Sequence, residues 1–285
     1  MQEAAVVLAM GGEYQAYFKQ DRDGAVRDLA EMDVMAEVAQ FCRDRQAYCH
    51  RSVAVPQIAL LYSTAGHYRE SPRLFHWAES NGVDVLRKAL TQILQNQYGV
   101  QVLSEHHLKG NMPKWPVIIV PGWKHLEPDC RDELAAFAKP GGSLLLIGPG
   151  PAQLFETELG TKANASIVAV ESVDATFPSV LRQLLSAPIV EVRGAKDVDV
   201  SPRMLNGRLS IHLVNTSGPH ASAPDGGITT IEPVGPLTVS IRLKQAPKSI
   251  TMQPTGKPLD ITWADSQATV AVSQLDLYSI LMVDP

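Results

Sequence analysis

The sequence predicts an α/β unit followed by an all-β unit, with a strand and a helix ahead of both. Three observations predict this. Between residues 56 and 188 short, continuously apolar runs alternate with helical patterns, as in a parallel sheet covered on both faces. After about Ile189 helical periodicity gives way to short period-two runs separated by Gly, Pro and Asp, the mark of an antiparallel β-sandwich. The opening Ala4–Met10 is apolar throughout and reads as a buried strand running toward Gly11-Gly12. The expected division is therefore 1–55, 56–188 and 189–285.

The elements follow in order. Past the polar loop Lys19–Asp28, a helix from about Glu31 to Ser52 sets Met35, Val38, Cys42 and Cys49 along one face. The pattern breaks over Val53–Pro56, and Gln57–Tyr62 begins the alternation of strands and helices. The helix Val83–Tyr98 carries Leu86, Ala89, Leu90, Ile93 and Leu94 on one side, with Gly99 placed as its C-terminal cap. Val100–Leu103 follows as a strand, and Trp115–Pro121 is a β-branched run bounded by prolines. Pro128 opens a helix that ends before Gly141-Gly142, and Ser143–Ile147 is the next buried strand. In the last region strands are expected at Leu209–Asn215, Leu237–Leu243, Ser249–Gln253, Leu259–Trp263, Thr269–Val272 and Ser279–Val283. Leu237–Leu243 alternates apolar and polar residues, giving one face to a core and one to water. Ser217–Gly227 is the most polar, glycine-rich stretch and reads as a surface loop.

Composition removes several functions. With 285 residues, 45% hydrophobic and 19% charged, the chain has enough apolar material for two cores. Its 25 basic and 30 acidic residues are spread along all regions, so no basic stripe exists to neutralise phosphates, and nucleic acid is not an expected partner. No apolar run approaches the roughly 20 residues that span a bilayer, so no membrane partner is expected. Glu3 stands where a secretory leader would carry basic residues, yet location stays open because the chain reads as part of a longer protein. Cys42 and Cys49 lie about 10 Å apart along one helix at roughly 1.5 Å per residue, beyond disulfide reach. Cys130 shares a helical face with Leu134 and Phe137 and reads as a core thiol.

The residue types that carry chemistry are thinly placed. Gly148-Pro-Gly-Pro151 follows a strand, where α/β sheets bind ligands, but its prolines remove the amide donors of a phosphate cradle and no GxGxxG spacing appears. A structural turn is the better reading, and no cofactor is expected. His106-His107 are adjacent, and His67, His76 and His125 lie in separate segments without a Cys or carboxylate frame, so no metal is expected. A class I amidotransferase would carry a Cys on a sharp strand-to-helix turn. Here the strands end in Pro121-Gly-Trp-Lys124 and Gly148-Pro149, without Cys or Ser at the turn. Trp77 and Trp123 follow strands of the α/β region and are candidates for lining a ligand or a subunit contact, whereas Trp263 reads as packed within the sandwich.

The order of the pieces carries a resemblance. Pro56–Ser63, Trp115–Pro121, Lys139–Gly148 and Leu209–Ser217, in this order and spacing, resemble the carboxyl-terminal part of multidomain glycoside hydrolases of the β-galactosidase and α-fucosidase-like kind. The resemblance implies a remnant of a (β/α)8 barrel over 1–55, a flavodoxin-like, class I amidotransferase-like domain without its nucleophile over 56–188, and a β-sandwich over 189–285. In a barrel the catalytic groups come from strand ends and the loops after them, which makes Glu13, Tyr14 and Tyr17 candidates for touching substrate. Met1 to about Phe18, without barrel partners, is expected to be disordered, to pack irregularly or to pair with another chain through an open strand edge. The two carboxylates that cleave a glycosidic bond would lie upstream, and no catalytic residue is assigned to this chain.

The resemblance thus implies a non-catalytic portion of a glycoside hydrolase, with a carbohydrate substrate in the parent enzyme and a homo-oligomer assembled through the middle domain. An alternative is a stand-alone carbohydrate or small-ligand binding protein using a pocket built from Tyr62–Tyr68, Gly122–His125 and Gly148–Pro151. A second alternative is an amidotransferase-like enzyme, which would require glutaminase activity.

Overall fold

Gln2–Ala9 is a helix, not the expected strand. Its buried residues Ala4, Ala5, Leu8 and Ala9 recur at helical spacing, and Glu3 sits in the first turn, where a negative charge suits the N-terminal dipole. Because Val6 and Val7 make the run apolar on the other side as well, periodicity alone did not separate helix from strand. The computed structural model describes residues 1–15, 21–25, 30–71, 81–160, 166–218 and 230–285. These form two compact units, Met1–Val55 with Ile189–Pro285, and Pro56–Pro188.

In chain order the elements begin with α1 (Gln2–Ala9), α2 (Ala30–Cys49) and the two-residue β1 (Val53–Ala54). The α/β unit contains β2 (Ile58–Tyr62), α3 (Thr64–Glu70), α4 (Asn81–Gln95), β3 (Val100–Ser104) and α5 (Glu105–Leu108). It continues with β4 (Val117–Pro121), α6 (Pro128–Ala138), β5 (Ser143–Ile147), α7 (Pro149–Leu154), β6 (Ile167–Val170) and α8 (Phe177–Leu184). The remaining strands are β7 (Val190–Arg193), β8 (Val198–Leu205), β9 (Arg208–Asn215), β10 (Leu237–Arg242), β11 (Ser249–Gln253), β12 (Lys257–Pro258), β13 (Thr262–Ala264), β14 (Gln267–Val272) and β15 (Tyr278–Asp284).

The α/β unit is a five-stranded parallel sheet in the order β3-β2-β4-β5-β6. Ile58–Leu61, Val117–Val120 and Leu144–Ile147 are fully buried, as strands covered by helices on both faces require. Helix α4 ends at Gln95, and the left-handed residue beyond it is Gln97 (φ 64°) rather than the expected Gly99. Gly148-Pro-Gly-Pro151 is the opening of α7 rather than a bare turn. Gly148, at φ 89°, makes the sharp exit from β5 that a β-carbon would strain.

In the other unit, one sheet runs β1-β8-β9-β15-β11-β12 and a second runs β13-β14-β10-β7, with every pairing antiparallel. Val198, Val200, Leu209, Ile211, Leu213, Leu281 and Val283 of the first sheet share a core with Val190, Val192, Leu237, Val239, Ile241, Val270 and Val272 of the second. Of the expected strand Leu259–Trp263 only Thr262 and Trp263 fall in a strand, β13, and Trp263 is among the exposed large side chains, so it lies outside that core.

Residues 1–55, expected as a unit of their own, cover the far face of the six-stranded sheet. Ala5, Leu8, Ala9 and Cys49 pack with Leu205, Val214, Tyr278, Ile280 and Met282. Strand β9 is therefore buried on both faces, with Leu209, Ile211 and Leu213 toward the sandwich core and Ser210, His212 and Val214 toward the helices. The expected loop Ser217–Gly227 falls largely outside the described residues. Among those described, no helix is long and apolar enough to cross a membrane.

Candidate functional site

The carboxyl ends of the parallel strands are where an open α/β sheet places a ligand, and here they converge on one buried carboxylate. Strand β2 delivers Ser63 to the N-terminus of α3, where its hydroxyl accepts the Gly66 amide at 2.9 Å. The same hydroxyl lies within donor distance of Glu105 Oε1 (3.1 Å) and the His125 carbonyl (2.9 Å). Glu105, at the end of β3, also accepts Thr64 Oγ1 (2.8 Å), the Ala65 amide (3.2 Å) and the Glu127 amide (2.8 Å). Fully buried and met by four donors, this carboxylate ties together the loops after β2, β3 and β4. A group so saturated holds structure and has no free lone pair directed at a ligand.

Trp123, a sequence candidate for ligand contact, is part of that closure. It is fully buried, donates its indole N–H to the Leu61 carbonyl at 2.9 Å and meets Tyr62 edge-on at 5.5 Å between ring centres. A β-carbon on Gly82 would stand 2.3 Å from the Trp123 ring, and one on Gly66 would stand 2.7 Å from it, so both glycines are small because the indole lies against them. A side chain enclosed on every side offers no face to a sugar.

Outward from Trp123 the aromatic series continues. Tyr62 lies 5.6 Å from the His67 ring, and His67 meets Tyr68 at 5.8 Å, with Tyr68 itself 68% exposed. His67 Nδ1 is buried without a hydrogen-bond partner. Trp77 and Tyr17 lie outside the described residues.

The other sequence candidates stand in the first unit. Glu13 is exposed, its carboxylate 3.8 Å from His50 Nδ1, and Tyr14 is half-buried. No second carboxylate accompanies Glu13 in the described ion pairs.

Sequence reasoning missed two residues of the strand-end cluster, Ser63 and Glu105. A Ser directly between an apolar run and a helix is an N-cap signature, the local signal that could have found Ser63. Nothing local marks Glu105, because its partners come from three separate loops.

Cys130 is fully buried, and burial, together with the negative charges of Glu105, Glu133 and Glu127, pushes its thiol up to about 12. It remains an uncharged core group. Among the described residues no three His, Cys, Asp or Glu side chains converge to hold a metal. The adjacent His106 and His107 instead share one partner, with Ser104 Oγ 3.0 and 2.9 Å from their Nδ1 atoms.

A second polar cluster lies between the helices and the six-stranded sheet. Arg203 donates from Nε to Ser52 Oγ (2.7 Å) and from Nη2 to the Ser52 carbonyl (2.8 Å), and its guanidinium lies directly beneath Gly11. Tyr278, His212 and Cys49 continue the seam. All four side chains are buried, so the cluster fastens the helical layer to the sheet without opening to solvent.

No family model matches this sequence, and no curated protein sequence matches it. Solved structures resemble its fold. An alpha-L-fucosidase isoenzyme 2 from Paenibacillus thiaminolyticus superposes with a TM-score of 0.76 at 13% identity, over 99% of this chain and 56% of that chain. A catalytic mutant of a GH42 beta-galactosidase from G. stearothermophilus gives 0.61 at 12% identity, over 95% of this chain and 47% of that one. A beta-galactosidase from Bacillus circulans sp. alkalophilus gives 0.57 at 13% identity, over 88% and 45%. The chain thus spans about half the length of the structures it resembles. At these identities the likeness is one of fold, a fold found in glycoside hydrolases.

Proposed function

We propose that this chain is a non-catalytic, glycosidase-related portion of a glycoside hydrolase, whose α/β unit supplies assembly surface and whose sandwich supports it. The observation that carries the reading is the superposition of 99% of the chain on 56% of an alpha-L-fucosidase. Two features support it. The strand order β3-β2-β4-β5-β6 is, counted within the unit, 2-1-3-4-5, which we read as flavodoxin-like. At its strand ends, the place for a ligand is taken by Trp123 and by the saturated Glu105. The parent protein would act on a carbohydrate, with its paired carboxylates outside the residues of this chain.

The test is a panel of nitrophenyl glycosides, including α-L-fucosides and β-galactosides, offered to the purified chain. The expected result is no turnover above buffer. Turnover that disappears in Glu13→Gln would overturn the reading.

A second reading, carbohydrate or small-ligand binding by the α/β unit itself, is favoured by the exposed Tyr68 beside His67 and Tyr62. It predicts saturable heat on titration with a sugar, lost in Tyr68→Ala.

A further inference from the structure

Strand β3 is an edge of the parallel sheet, paired with β2 on one side only among the described residues. Its sequence, Val100-Gln-Val-Leu-Ser104, carries neither a charge nor a proline, none of its five positions is buried and Val102 is 45% exposed. Edge strands left open in a monomer are ordinarily guarded by Lys, Pro, inward charges or shortness. The other unit follows that rule: β12 is Lys257–Pro258, β7 carries Glu191 and Arg193, and β1 is two residues long. Strand β3 has no such guard.

A second observation extends the edge into a surface. Residues 89–104 contain no Asp, Glu, Lys or Arg, in a chain that is 19% charged. In β5 an uncharged run is explained by burial, but here only Ala89, Ile93 and Tyr98 are buried. Thr91, Gln95 and Val102 are exposed, and Gln92, Asn96, Gln97 and Gln101 are half-exposed. Depletion of charge is the compositional mark of an interface core, where uncharged polar groups and apolar surface are desolvated at low cost.

We infer that β3 pairs antiparallel with β3 of a second copy of this chain, about a twofold axis at Val102, joining two five-stranded sheets into one. A twofold contact sets a surface against itself, so a charge near the axis meets its own image and one farther out meets another residue of the same surface. The accessible residues between Thr91 and Ser104 carry no charge and meet that condition without a penalty, which is why a second copy is the fitting occupant. Antiparallel pairing satisfies the outward N–H and C=O groups of both strands. In this register Val102 opposes Val102, and Val100 opposes Ser104 of the other copy. The inference rests on the assembly part of the proposed function and names its surface.

Sedimentation equilibrium of the full chain, with three variants, tests it. The wild type is expected to be a dimer. Val102→Lys, placed at an exposed position, should lose the dimer while keeping the circular dichroism spectrum of the wild type. Val53→Lys, on the exposed edge strand β1 of the other unit, should remain dimeric. Val102→Cys should form a reducible cross-linked dimer under mild oxidation, which reports the register even if the lysine variant folds poorly. A monomeric wild type overturns both the edge pairing and the assembly role. A dimer that survives Val102→Lys, or a Val102→Cys protein that fails to cross-link, overturns the edge pairing alone and leaves assembly through another surface.

Discussion

His212 Nδ1 lies 2.5 Å from the hydroxyl of Tyr278, and that hydroxyl is also 3.3 Å from Cys49 Sγ. The two rings stack at 5.9 Å, and His212 Nε2 is 3.1 Å from Ser210 Oγ, so both ring nitrogens are occupied. Helix α2, strand β9 and strand β15 are thereby joined by one chain of neutral hydrogen-bonding groups.

That chain predicts an acid sensitivity. Burial, and secondarily the charge of Arg203, holds His212 down at about 3, against an ordinary value of 6.5. A histidine depressed in the folded state is protonated first in the unfolded state. Its contribution to stability is complete above pH 6.5 and is lost as the pH falls toward 3, at up to about 1.4 kcal/mol per unit. Urea denaturation of wild type and His212→Gln between pH 7 and 4 should give the steeper decline in the wild type. Parallel declines would show that His212 does not titrate as its surroundings require.

Removal of the Glu105 carboxylate should be costly for a different reason. Glu105→Ala leaves the partly buried Ala65 and Glu127 amides and Thr64 hydroxyl without their acceptor, a loss of about 2–4 kcal/mol. Thermal unfolding monitored by tryptophan fluorescence follows this well, since Trp123 is packed beside the same loops. A variant as stable as the wild type would mean that water replaces the carboxylate and that the strand ends are open.

The three thiols should react in a fixed order. Cys42 is half-buried, Cys49 and Cys130 are buried, and burial raises all three above their ordinary value. Alkylation of the native protein near pH 8, followed by intact mass, should modify no residue beyond Cys42. All three should react in denaturant. Native modification of Cys130 would contradict its place in the core.

How much of this was legible beforehand differs by element. Strands β2, β4 and β5 announced themselves as unbroken apolar runs, and β10 by its alternation, because local patterning records directly whether two faces or one are covered. Strand β8 escaped notice. Its Pro202 and Arg203 break the apolar pattern, and Arg203 is buried where Ser52 and Gly11, the residues that follow the two helices, meet its guanidinium. The same reason explains Trp123 and Trp263. Each was read from its position in a loop or strand, but burial of the first depends on Gly82 and Gly66, and exposure of the second on β13 lying at a sheet edge.

The sequence by itself determined the succession of α/β and antiparallel regions, the buried parallel strands and the lack of Cys or Ser at the turns after β4 and β5. Only the tertiary structure decided that the opening apolar run is a helix, that it covers the sheet of the final region, and that Glu105 and His212 are enclosed by groups distant along the chain. Periodicity reports which side of an element is apolar. The identity of what covers that side is set by residues far away in sequence, and it is this covering that fixes whether a polar side chain is a site or a fastening.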